Sequence, residues 1–253
     1  ITNKEKFHKS VEYIKKESLI KPFLSIDQEG GRVERTLNLH NGRKYLSARD
    51  VAKKGVEFVE QQAEMIASEL LELGLNMNFA PVLDVDTNSN NPIIAERSYS
   101  SNPDIVAKMA KVVVDVFKKH NIVSVGKHFP GHGETNVDSH LVMPELNLSF
   151  EELKAIHLKP FELLLNSLPA IMVAHIYYSA FDIEKLPASI SQNVIDGYLR
   201  QNLGYGGLVV SDDMVMGGIK SINPLDACVK GINAGVNMFI YRNSDDETLH
   251  LIE

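Results

Sequence analysis

Two hydrophobic periods alternate along the chain. The runs FLSID (23–27), MNFAPVLDV (77–85), IVSVGKHF (122–129), AIMVAH (170–175), GLVVSDD (207–213) and MFIY (238–241) are short, apolar and mostly β-branched or aromatic. Such runs predict strands buried on both faces. Between them, residues 50–73 are rich in Ala, Glu and Leu, and Gly74 stands where that helix would stop. Further helices are expected over 103–120, 150–166, 192–202 and 225–234. Pro103 and Ser149 sit at favoured helix starts and Gly235 at a favoured end. Strands alternating with helices predict parallel βαβ units.

Six strands follow from this pattern. A helix at about 3–17 asks for an earlier strand ahead of the given residues, which makes seven. A (β/α)8 TIM-like barrel is the natural completion, with its first strand and closing helices outside the given residues. A doubly wound open sheet is the alternative. No low-complexity linker or shift of composition divides the chain, so residues 1–253 read as a single domain. The segment 86–102, with four Asn and a Pro, is the longest polar loop.

Composition narrows the function classes. With 253 residues, 44% of them hydrophobic, the chain can bury a large core. Its net charge is −7, and no run of Lys or Arg is long enough to make a phosphate-binding stripe, so nucleic acid is not an expected partner. The single cysteine, Cys228, excludes an internal disulfide framework and a Cys-built zinc cage. No apolar run approaches the roughly 20 residues of a membrane-spanning helix. Residue 1 is Ile rather than Met, so the chain reads as a fragment or a processed form, and a targeting segment ahead of it is compatible with that start.

The strand ends carry the step from fold to chemistry. Asp27 ends the first run, Asp84 and Asp86 the second, Lys127 and His128 the third, and His175 the fourth. Asp212 and Asp213 end the fifth, and Tyr241 and Arg242 the sixth. In a parallel barrel these ends converge on the carboxyl-terminal face, where active sites are built. An Asp after a strand often only caps the next helix. Six strands all ending in polar groups is more than capping explains.

The stretch KHFPGHGETNVDSH (127–140) concentrates this chemistry, holding three of the chain's nine histidines. Pro130, Gly131 and Gly133 exclude a helix, so the four-residue spacing of His128 and His132 does not place two imidazoles on one face for a metal. A second reading is structural, a turn histidine holding the loop by hydrogen bonds, which suits His132. A third is acid–base catalysis by His140 with Asp138 as its orienting carboxylate. A nearby carboxylate fixes the imidazole tautomer and favours the protonated form that a proton donor needs.

These residues resemble the signature of glycoside hydrolase family 3 β-N-acetylhexosaminidases, in particular the NagZ-like single-domain subgroup. IDQEGGRV (26–33), NFAPVLDVD (78–86), ERSYS (96–100), MVAHIYYSAFD (172–182), PASIS (187–191), GLVVSDDM (207–214) and AGVNMFIY (234–241) are similar to family blocks in family order. The resemblance covers nearly the whole chain. It implies a barrel and a retaining mechanism with Asp212 as nucleophile. His140, paired with Asp138, takes the place of the second carboxyl group that such hydrolysis ordinarily needs. It further implies that Asp27, Arg97, Lys127 and His128 bind sugar hydroxyls and the N-acetyl-bearing ring; His175, in the MVAH block, reads as lining the site, with a core role as the alternative. Asp213 reads as a cap or turn residue, and Met214 and Met216 as packing.

The activity so implied is an exo-acting β-N-acetylglucosaminidase on cell-wall muropeptides or chitooligosaccharides, with a small carbohydrate as partner and neither cofactor nor metal. A cytoplasmic location is expected first, a periplasmic or secreted one second. A family 3 β-glucosidase or a β-N-acetylglucosaminide phosphorylase is the near alternative. A metal-dependent amidohydrolase on a barrel and a catalytically inactive sugar binder stand further off. Two departures accompany the resemblance: the connection 36–49 is short, and Asn237 stands where the family often has Asp.

Overall fold

The predicted strands pair in the order in which they occur in the chain. In this computed structural model, which describes residues 3–39 and 43–242, β1 (Ser25–Ile26), β2 (Met77–Asn78) and β3 (Val123–Phe129) are successive neighbours in one parallel sheet. Two short strands outside it, β4 (Glu145–Leu146) and β6 (Tyr177–Tyr178), pair with each other and were not expected from the sequence. The main sheet continues from β3 through β5 (Ala170–Val173) and β7 (Leu208–Asp213) to β8 (Met238–Ile240). A doubly wound sheet reverses its strand order at a switch point. The sequential order seen here has no such reversal and suits a sheet that curls towards a barrel. Among the described residues β1 and β8 are its two edges.

The helices fall where the pattern put them, with two local corrections. α1 (Lys4–Glu17) precedes β1, and α4 (Pro103–Lys119) precedes β3. The single helix expected over 50–73 is instead α2 (Ala48–Lys54) and α3 (Val56–Glu72). Gly55, at φ 105°, occupies backbone that L side chains rarely adopt and separates the two. The helix expected over 150–166 runs from α5 (Phe150–Glu152) through wide π-type turns (Leu153–Leu158) into α6 (Lys159–Leu164). Wide turns also make up Asn193–Asn202. Ser149 starts α5 with a reciprocal capping box to Glu152, Asn102 caps α4 ahead of Pro103, and Gly235 ends α7 (Pro224–Ala234).

The run 77–85 was expected to be a strand throughout, but regular pairing stops at Asn78. Pro81 has no N–H to give a ladder, although its carbonyl still accepts from Lys127 N at 3.2 Å, and Leu83 N donates to Lys127 O at 2.6 Å.

Side chains alternate faces along each strand. Ile171, Val173 and Val209 point outward into the main core, against Phe161, Leu164 and Ile195. Ala170, Met172 and Val210 point inward, with Met77 and Val125, and close the inside of the curl.

Candidate active site

The carboxyl end of β3 is the centre of the site. Lys127 is 2% exposed, and its ammonium lies 2.7 Å from Asp27 Oδ1 and 2.6 Å from Glu29 Oε1. Arg97 grips the same Glu29 with two parallel hydrogen bonds, Nε to Oε2 at 2.9 Å and Nη2 to Oε1 at 2.8 Å. Buried charges persist only when paired and hydrogen-bonded, and the planar guanidinium fork matches a carboxylate. Burial alone would raise the Glu29 carboxyl, but Lys127 and Arg97 hold it far below its usual range. Burial likewise opposes the charge on Lys127, and Asp27 with Glu29 keeps its pKa above the usual value. Asp27 keeps 38% of its side chain exposed, facing the cavity. Glu29 was not singled out in the sequence; the signal available was the second acid of IDQEGGRV.

Asp84 is fully buried and ties three groups together. Its Oδ2 faces His128 Nδ1 at 2.6 Å, and its Oδ1 accepts from His128 N at 3.2 Å and from His132 N at 2.6 Å. Burial would raise this carboxyl; His128 first, then His132, holds it below the usual range. His128 Nε2 in turn comes within 3.5 Å of Arg97 Nη2, so the imidazole is oriented from both sides. The sequence read Asp84 only as a strand end.

Asp212, the penultimate residue of β7, lies on the cavity wall. Burial would raise its carboxyl, but His128, His175, the backbone N–H of Asp213 and Lys127 together keep it below the usual range. The Asp213 N–H donates to Asp212 Oδ1 at 2.8 Å and fixes the carboxylate. Asp213 itself behaves as a turn residue, accepting from Val215 N at 3.2 Å, and pairs with Arg242 at 3.3 Å.

His175, expected to line the site, lies behind the wall instead. It is fully buried, with Nδ1 2.7 Å from the Ser189 hydroxyl and Nε2 donating to Asp213 O at 3.1 Å. Desolvation lowers its pKa, and the ring braces the strand that carries Asp212 and Asp213. Met216, read as packing, forms part of the cavity wall.

The loop after β3 carries the proposed proton donor. Asp138 Oδ1 accepts from His140 N at 2.8 Å and sits 2.7 Å from His140 Nδ1, leaving Nε2 of the half-exposed ring available. The loop docks on two glycine amides, Gly217 N donating to His140 O and Gly218 N to Ser139 O, both at 2.9 Å. A Cβ on Gly218 would lie 2.6 Å from His175 O, so the approach requires glycine. His132 holds Thr135 and Ser139 with its two ring nitrogens, at 2.8 and 2.9 Å. That is the loop-holding role, and it leaves His132 no nitrogen for a metal. Among the described residues no three His, Cys, Asp or Glu side chains are grouped to hold an ion.

Asp27, Arg97, Lys127, His128, His140 and Asp212 all line one cavity of about 520 Å³. That is within the usual size of a small-molecule site. Arg35, not singled out in the sequence, also faces it. Phe79, Met172 and Ile240 give it an apolar floor.

Known proteins share this arrangement of chain. Residues 2–253 match the glycosyl hydrolase family 3 N terminal domain. A relative named beta-hexosaminidase A, from Pseudoalteromonas piscicida, is 38% identical over 85% of this chain, and the chain spans 39% of that relative's length. A family 3 beta-N-acetylglucosaminidase from a Paenibacillus strain superposes with a TM-score of 0.91 at 34% identity, over 98% of this chain and 48% of its own. NagZ from Neisseria gonorrhoeae, solved with N-trifluoroacetyl-D-glucosamine, superposes with a TM-score of 0.90 at 30% identity, over 100% of this chain and 74% of its own. The chain thus spans about half or less of two of these relatives. By the match over almost every residue, the chain belongs to glycoside hydrolase family 3.

Proposed function

We propose that the chain is the catalytic barrel of a retaining β-N-acetylglucosaminidase, releasing terminal β-linked N-acetylglucosamine from cell-wall muropeptides or chitooligosaccharides. The observation that carries this reading is one cavity walled by the ionised Asp212 and by His140, whose Nδ1 is committed to Asp138. In the first step a carboxylate oxygen of Asp212 forms a bond to the anomeric carbon. The bond from that carbon to the leaving oxygen breaks, and the leaving oxygen takes the proton from His140. In the second step His140 removes a proton from water, whose oxygen attacks the anomeric carbon and frees Asp212, with configuration retained.

Asp27, Lys127, Arg97 and His128 suit the sugar itself. Asp27, Lys127 and Arg97 are already paired within the protein and His128 is bonded to Asp84, so their remaining donors and acceptors can meet hydroxyls. Relatives named as hexosaminidases, and a neighbour solved with an N-acylated glucosamine derivative, support the choice of amino sugar.

The test is release of aryl alcohol from an aryl β-N-acetylglucosaminide, run beside the matching β-glucoside, with and without chelator and inorganic phosphate. A clear preference for the N-acetyl sugar, indifferent to chelator, is expected. Preference for the glucoside would overturn the sugar assignment. Sugar 1-phosphate as the main product would replace water by phosphate as acceptor.

A further inference from the structure

The Asp138–His140 dyad is built from neighbouring residues and sits half exposed on a loop, so its internal geometry says nothing about what holds it opposite Asp212. The hydrogen bonds of the loop answer that. Thr135 Oγ1 donates to His132 O at 3.1 Å, so toward the His132 ring it can only accept, and His132 Nδ1 carries the proton. His132 Nε2 is then an acceptor, and the Ser139 hydroxyl donates to it at 2.9 Å. Ser139 immediately precedes His140. The ring, 1% exposed, therefore bridges the loop's two sides as a neutral strut. Burial holds its pKa down to about 4, which keeps Nε2 an acceptor at neutral pH.

The strut is itself fixed from below. Asp84 accepts the His132 N–H, and Asn91 Nδ2 donates to His132 O at 2.8 Å and to Gly133 O at 3.0 Å. Asp84 is also the carboxylate that orients His128 on the sugar side of the cavity. One buried anion thus sets both the sugar-facing imidazole and the root of the loop that carries the acid.

We infer that His132, which borders the cavity with both ring nitrogens taken by Thr135 and Ser139, is a positioning residue for the reaction: through the Ser139 hydroxyl it places His140 at the leaving oxygen. The inference rests on the acid–base role proposed for His140. A displacement of about 1 Å at a reacting group lowers rate by about 10²-fold. The effect falls on protonation of the leaving group and not on sugar binding.

Ser139→Ala removes only a hydroxyl and His132→Leu removes the strut; His132→Gln restores an acceptor for Ser139. Each is made alone and in a His140→Ala background, and kcat/KM is measured for an alkyl and for a 2,4-dinitrophenyl β-N-acetylglucosaminide. For the alkyl glycoside, His132→Leu should lose about 10²-fold and Ser139→Ala roughly 2- to 10-fold. The dinitrophenyl glycoside and the inhibition constant of free N-acetylglucosamine should stay within about threefold. His132→Gln should recover part of the loss, and in the His140→Ala background neither substitution should lower the rate further.

Equal losses on both glycosides, or losses that add to that of His140→Ala, would overturn the inference. Should His132→Leu fail to fold, Ser139→Ala alone decides by the same criterion. Wild-type turnover and the leaving-group dependence of His140→Ala are read in the same experiment. If these hold while Ser139→Ala changes nothing, only the positioning role falls. If these fail, the proposed function falls with it.

Discussion

Glu29 Oε1 lies 2.6 Å from Lys127 Nζ, and the same carboxylate holds Arg97 in a two-bond fork. One buried anion therefore neutralises two cations in the wall of the cavity. Removing it leaves Arg97 without its carboxylate and Lys127 with Asp27 alone.

Glu29→Gln keeps the shape and deletes the charge. Breaking a buried pair by removing one partner typically destabilises by about 3–5 kcal/mol, which in a domain of this size lowers Tm by roughly 6–20 °C. Affinity for free N-acetylglucosamine should fall as well, because Lys127 and Arg97 lose their fixed orientation. Calorimetry and inhibition assays check both. An unchanged Tm would show that the network is not stabilising as described.

Asp212→Ala should reduce kcat by at least about 10³-fold while the inhibition constant of N-acetylglucosamine stays within about threefold. Steady-state assays at high enzyme concentration read the residual rate. A variant retaining a tenth of wild-type turnover would remove Asp212 from the nucleophile's role.

His140→Ala should lower kcat/KM for an alkyl β-N-acetylglucosaminide by about 10²- to 10⁴-fold and for a dinitrophenyl glycoside far less. Only the poor leaving group needs a proton to depart. A uniform loss across a series of leaving groups would count against His140 as the acid.

Acid should destabilise the fold through its buried histidines. His132, His157 and His175 all have pKa values lowered by desolvation, His132 to about 4. The unfolded chain therefore binds their protons first. The stability each contributes is complete above the unfolded value near 6.5 and is lost as pH falls from there, for His132 until about pH 4. Each adds a slope approaching 1.4 kcal/mol per pH unit within its window. Urea midpoints at pH 7, 6 and 5 should fall in that order, and more shallowly in His132→Gln. A flat profile across that range would mean that these rings are not held neutral.

Much of the site was legible because its residues stand at strand ends, where period-two burial gives way to polar side chains. Asp27, Lys127, His128 and Asp212 were found that way, and all of them line the cavity. His140 and Asp138 were legible because they bind each other locally, two residues apart. Glu29 and Asp84 were not recognised for what they do, and the sequence did not decide between a lining and a core role for His175, which is buried behind the wall. A strand end faces either the cavity or the layer behind it, and His175 turns to Ser189, 14 residues away. No pattern in AIMVAH encodes that choice.

By itself, then, the sequence determined the alternation of strands and helices, the sites of their caps and the kinds of chemistry at each strand end. These follow from burial and backbone preferences that act over a few residues. Only the tertiary structure decided that the strands run in sequential order and curl, and did not wind doubly. It also decided that Lys127 meets Asp27 across 100 residues and Arg97 meets Glu29 across 68. Such pairings depend on which buried charges the closed fold leaves within about 3 Å of one another. That is a property of the assembled sheet, because a buried charge must find its partner wherever the packing puts one.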